Sequence, residues 1–114
     1  MNQPTPTTYA EADSILGRKD SRKIAHNTYL ERLDAETIGV RLHRTYVVRF
    51  NVNGTLSLDS GGWQTVTTKE RMNRYLPAGF RLYQQDYQWF VSSPNERDFL
   101  YEDGLVIETR SGVV

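Results

Sequence analysis

The stretch that decides the fold is Tyr46-Val47-Val48-Arg49-Phe50-Asn51-Val52-Asn53-Gly54-Thr55-Leu56-Ser57-Leu58-Asp59. Tyr46, Val48, Phe50 and Val52 alternate with Arg49 and Asn51, the period of a strand with one buried face. Asn53-Gly54 supplies two residues tolerant of positive φ, as a type I′ turn requires. The stretch therefore predicts a hairpin of Tyr46–Val52 with Thr55–Asp59. Upstream, Thr37–His43 repeats the period, with Ile38, Val40 and Leu42 inward and Arg41 and His43 outward. Ile24–Leu33 alternates weakly before a turn at Asp34-Ala35. Downstream, Ser60-Gly61-Gly62 breaks the pattern. Strands are then expected at Phe80–Gln84 and Gln88–Ser92 around Asp86-Tyr87. Ser93-Pro94-Asn95 reads as a turn. Phe99–Glu102 and Leu105–Thr109 flank Asp103-Gly104, a second two-residue hairpin signal.

Two helices are expected beside these strands. Thr8 with Glu11 forms a capping box, and Gly17 stops the helix Tyr9–Leu16 that follows. Thr67-Thr68-Lys69-Glu70 reads as a second box, opening a helix over Thr68–Leu76 with Met72, Tyr75 and Leu76 as its apolar stripe. Residues 1–7, polar with two prolines, read as a flexible tail. Tight turns between strands imply an antiparallel sheet of hairpins covered by two short helices. The fold class is α+β, a single domain over residues 8–114. An unpaired hydrophobic strand edge would also make the protein a homodimer.

The chain has 114 residues, ordinary for one core, with 38% hydrophobic and 25% charged residues. No apolar run approaches the ~20 residues that cross a bilayer, and the start lacks the pattern of a signal peptide. With no cysteine there are no disulfides, thiolate nucleophiles or cysteine-held metals. Lys and Arg balance Asp and Glu at 14 each. The balance is uneven along the chain. Residues 17–85 carry a surplus of six positive charges, and the two ends together an equal negative surplus. Arginine outnumbers lysine 11 to 3, which favours forked contacts to phosphate and stacking on rings.

These cations form the candidate site. Arg18, Lys19, Arg22 and Lys23 fall in a basic loop, Gly17–Lys23, suited to phosphates. Cations at a helix end are also favoured by the dipole alone. Arg41 and Arg49, with His43, share the outer face of neighbouring strands. Lys69, Arg71 and Arg74 surround the second helix, with Lys69 near its start, where free N–H groups favour anions. Trp63, after two glycines, is the first choice for an exposed ring on which a base stacks, ahead of Tyr29, Tyr83 and Tyr87.

Catalytic readings find little support. Asp59-Ser60-Gly61-Gly62 with His43 upstream is similar to a serine-protease nucleophile segment. A triad also needs a carboxylate to orient the histidine and donors for an oxyanion, and such proteases need two barrels. Chain reversal accounts for the serine and its glycines. His26 and His43 lie apart with no ordered carboxylates, so no metal and no cofactor are expected. Asn53-Gly54-Thr55 matches a glycosylation sequon, but the turn explains it.

From Leu16 to Pro77 further residues fall into a familiar pattern. They are Leu16-Gly17-Arg18, Ser21-Arg22-Lys23, Asn27-Thr28-Tyr29-Leu30, Val40–Val48 and Ser60–Lys69, continuing through Arg71, Asn73 and Leu76-Pro77. Together they resemble a family of small proteins of tailed bacteriophages and prophages. The resemblance carries over no catalytic residues. It implies a viral accessory protein in the cytoplasm of the bacterial host. With no nucleophile–base or metal set in the residues, no enzyme is expected. The basic middle and the arginine excess make nucleic acid or another phosphate-bearing ligand the expected partner, with no membrane. Two alternatives stand beside this. The acidic residues Glu96, Asp98, Glu102, Asp103 and Glu108 would let the chain mimic phosphates and inhibit a host enzyme or defence factor. An arginine- and aromatic-lined pocket would capture a small signalling nucleotide.

Overall fold

The computed structural model describes residues 3–94, 97–108 and 112–113. Helix α1 (Tyr9–Leu16) leads into a meander of five strands: β1 (Ser21–Ala25), β2 (Thr28–Arg32), β3 (Thr37–Leu42), β4 (Thr45–Asn51) and β5 (Thr55–Leu58). Helix α2 (Val66–Arg74) and strands β6 (Arg81–Gln85), β7 (Gln88–Ser92) and β8 (Phe99–Leu100) follow. Strands β9 (Leu105–Glu108) and β10 (Gly112–Val113) close the described chain. The expected single sheet is two. One is seven-stranded in the order β1-β2-β3-β4-β5-β9-β10, and the other is β6-β7-β8; neighbouring strands in both run antiparallel. The class is α+β.

The helices start and stop for local reasons. The Thr8 hydroxyl accepts the Glu11 N–H at 3.2 Å, while the Glu11 carboxylate reaches back to the N–H and hydroxyl of Thr7. Gly17 ends α1 at φ 59°. The second helix begins earlier than the sequence suggests. Thr65, not Thr67, is its cap and accepts the Thr68 N–H at 3.1 Å. Thr68 stands where the usual box has a glutamate, so the Thr67–Glu70 pattern marks the start two residues late.

The Tyr46–Asp59 hairpin forms, with a different turn. Asn51 and Thr55 flank three residues, the Gly54 N–H donates to the Asn51 carbonyl at 3.1 Å, and only Gly54 of the three has positive φ, at 91°. This is a type I turn closed by a glycine bulge. Inside β4 the alternation slips once. Val40 pairs with Val48 but Arg41 with Tyr46, leaving Val47 as a bulge. Val47 turns into the core and Tyr46 onto the outer face beside Arg41 and Arg49. Tyr46 is thus not a core residue, and Val52 is exposed rather than inward. Gly39 makes room for this, since a Cβ there would lie 2.7 Å from the Tyr46 ring.

Three other expectations change. Ser21, Arg22 and Lys23 are not loop but the edge strand β1, polar on both faces and so without a period. The weak alternation of Ile24–Leu33 hides a turn at His26-Asn27, where Asn27 takes φ 52°. Asp103-Gly104 is a turn without a hairpin. It carries the chain from β8, which pairs with β7, to β9, which pairs with β5. Asn95, Glu96, Thr109 and Arg110 fall outside the described residues.

Ile38, Val40, Leu42, Val48, Phe50, Leu56, Leu58 and Ile107 line the inner face of the large sheet. They pack with Ala12 and Leu16 of α1, with Met72 and Tyr75, and with Leu82, Trp89 and Val91 of the small sheet. Residues 3–7 have no regular structure, and Pro6 among them is buried. Two exposed edges are guarded. β1 presents Ser21, Arg22 and Lys23. Along β6, the Asn73 amide of α2 donates to the Leu82 carbonyl at 2.8 Å and accepts its N–H at 2.7 Å.

Candidate nucleic-acid interface

The strand pairings place two rows on the outer face of the large sheet. One is Lys23, Tyr29, Arg41 and Tyr46, and the next is Ser21, Glu31, Gly39 and Arg49. Here Arg41 is committed inside the protein. Its Nε and Nη2 donate to Glu31 Oε2 at 3.1 and 2.9 Å, its Nη1 reaches the His43 carbonyl at 2.6 Å, and the guanidinium lies 4.9 Å from the Tyr29 ring centre. The hydrogen bond from Arg41 lowers the Glu31 pKa, and the same carboxylate raises that of Tyr46, whose hydroxyl donates to it at 2.7 Å. The pair is therefore nearly neutral outward. Arg49 lies 5.7 Å from the Tyr46 ring centre. Neither it nor exposed Lys23 forms an ion pair among the described residues.

At the α2 end of this sheet lies a cleft of about 590 Å³. Leu42 and Val47 give it an apolar lining, His43 and Arg44 of the β3–β4 turn reach it from one side, and Trp63, Thr65 and Thr67 from the other. Trp63 is 68% exposed. The bulge at Val47 and the positive φ of His43, 56°, shape the turn.

The Trp63 loop is tied down by Asp103. Its carboxylate accepts the Ser60 N–H at 2.8 Å, the Ser60 hydroxyl at 3.0 Å and the Tyr101 hydroxyl at 2.6 Å. Burial opposes the charge on Asp103, but these bonds outweigh it and lower its pKa; burial and Asp103 together push the Tyr101 phenol up. The Ser60 oxygen accepts the Gly62 N–H, and the Ser60 carbonyl accepts the Trp63 N–H at 3.0 Å. Gly61 and Gly62 take φ 63° and 84°, so the serine does serve a chain reversal. Its hydroxyl donates to a carboxylate rather than to His43, although both residues line the cleft.

The remaining sequence candidates do not converge here. Arg18 and Lys19 are exposed at the far end of α1. The group that actually caps that helix is Arg32, bonded to the Gly17 and Lys19 carbonyls and to Asp13. Arg22 turns toward the Ile15 carbonyl. Arg71 is spent on structure, donating to the Thr28 hydroxyl, the His26 carbonyl and Glu70, which also holds Arg74. Lys69 donates to Gln84. Sequence reasoning passed over Arg44 as a site residue, although its place between two alternating runs marks a turn. The acidic quarter is likewise dispersed. Asp98 accepts from Tyr83, Asp103 holds the Trp63 loop, Glu102 lies between β8 and β9, and Glu108 ends β9.

Among the described residues no three His, Asp or Glu form a metal-holding group, and no helix is long and apolar enough to cross a membrane. No curated protein and no solved structure matches the chain. A family model, described as Kyanoviridae Gp96 protein, matches residues 8–108. That match contains the phage-like stretch Leu16–Pro77 and extends beyond it through both sheets. The chain thus belongs to the Kyanoviridae Gp96 protein family, a family of tailed phages.

Proposed function

We propose that the protein is a non-enzymatic phage accessory protein that binds single-stranded nucleic acid in the cytoplasm of the bacterial host. The observation that carries this reading is the exposed Trp63 on a cleft shared with His43 and Arg44. A base stacks on the indole, and the arginine takes the neighbouring phosphate. Lys23 and Arg49 on the outer sheet face, with Arg18 and Lys19 farther off, draw the strand in by long-range attraction. The cleft volume also lies in the range of small-ligand sites, which favours a single nucleotide as the second reading. Both share one chemistry, a stacked base with a phosphate beside it.

Fluorescence titration with single-stranded DNA, single-stranded RNA, duplex and mononucleotides separates them. Strand binding is expected to tighten with oligonucleotide length and weaken with salt. Mononucleotide saturation at equal affinity supports the second reading. Absence of binding to every probe at low salt overturns both.

A further inference from the structure

The outer face of the small sheet is a second surface of a different kind. Leu82, Trp89, Val91 and Tyr101 turn into the core. The opposite face carries one cross-strand row, Tyr83, Phe90 and Leu100. The Tyr83 and Phe90 rings stack at 5.7 Å with a 23° interplanar angle, and Leu100 is 47% exposed. Beyond the row, the β6–β7 turn holds Asp86 at φ 53° and Tyr87 at φ 66°. Glycine or asparagine is the easy residue at such a turn, and a bulky ring at positive φ is strained. That strained residue is also 95% exposed. An exposed aromatic kept at a strained position in a hairpin turn has the properties of a binding anchor.

From this face we infer that the protein forms a two-fold dimer in which the outer faces of the two small sheets meet. The choice of a second copy rests on charge and spacing. Arg81 and Asp86 stand at opposite ends of β6 and its turn, both exposed, and neither forms an ion pair among the described residues. A two-fold axis at the Tyr83–Phe90 row sets Arg81 of each copy against Asp86 of the other, the reciprocal pattern of an isologous interface. The lengths agree. The row is about three residues, roughly 10 Å, from the Asp86-Tyr87 tip and about four, roughly 13 Å, from Pro94. Tyr87 of one copy then lands on exposed Pro94 of the other, which packs against Gly79. Asp98, held by the Tyr83 hydroxyl, lies at the rim. The polar edge of β1 and the Asn73-covered edge of β6 turn strand pairing away along those two edges.

Sedimentation of the whole chain across concentration tests this, with thermal melting to verify folding. The wild type is expected to dimerise, and Tyr87→Ser and Leu100→Ser to weaken the dimer at least tenfold. Arg81→Asp and Asp86→Lys are each expected to be monomeric alone and to associate when mixed, because the mixture restores both opposite-charge contacts. A wild type that stays monomeric at several hundred micromolar overturns the inference. So does a dimer indifferent to these substitutions, or a mixture of the two charge variants that stays apart.

Discussion

Single side chains hold the two faces of the large sheet to their roles. Gly39 is one. A methyl there meets the Tyr46 ring at 2.7 Å and Leu33 at 3.0 Å. Gly39→Ala is therefore expected to destabilise by about 1–3 kcal/mol, the usual cost of overpacking, read by urea unfolding. Gly62→Ala tests the loop differently, since open space surrounds it and only its positive φ is at stake. Glu31 and Asp103 make stability depend on pH. Both have folded pKa values below their usual range. Their contribution is thus fully present above the unfolded carboxylate range, near pH 4, and is lost as pH falls through the lower folded values. Unfolding free energy measured from pH 6 to pH 2 should fall over that window. Asp103→Asn should flatten part of the fall and loosen Trp63, seen as a shift in its emission. The fluorescence is readable because the other tryptophan, Trp89, is buried against Tyr101.

At the scale of elements, the cap of α2 separates the two readings of its start. Thr65→Ala removes the hydroxyl that accepts the Thr68 N–H and is expected to cost about 1 kcal/mol, whereas Thr67→Ala should cost nearly nothing. Equal losses in thermal unfolding would restore the later start. Asn73→Ala uncovers the β6 edge, and amide exchange at Leu82 should accelerate. What the sequence made legible follows from range. The β3, β4 and β5 strands, the Asp86-Tyr87 turn and α1 carry local signals of period, turn residue or cap. Strand β1 was hidden because its edge is solvated and polar, so no alternation marks it. Asp103-Gly104 misled because its turn chemistry is real, while the partner of β9 lies some fifty residues back in β5. Trp63 was legible as a ring with nothing to bury it. The partners of Arg41 and Arg71 were not legible, because only the fold brings Glu31 beside the first and Thr28 and the His26 carbonyl beside the second.

Across the whole molecule, zero net charge resolves into paired and unpaired groups. The Cα radius of gyration, 13.3 Å, matches the roughly 13 Å of a compact single domain of about this length. One core thus fixes both surfaces. Arg32, Arg41, Arg71 and Arg74 are paired with carboxylates, while Arg44 and Arg49 form no ion pair among the described residues. Arg44→Ala should therefore reduce the slope of log affinity against log salt by about 0.7, one single-strand phosphate, whereas Arg71→Ala should act through stability instead. The most direct test of the binding site is a titration of Trp63 fluorescence with single-stranded oligonucleotide in low salt, beside Trp63→Ala followed by anisotropy of a labelled strand. The account predicts saturable quenching in the wild type and an affinity loss of about 1–3 kcal/mol in the variant. Unchanged fluorescence, or a variant that binds as tightly as the wild type, would contradict it.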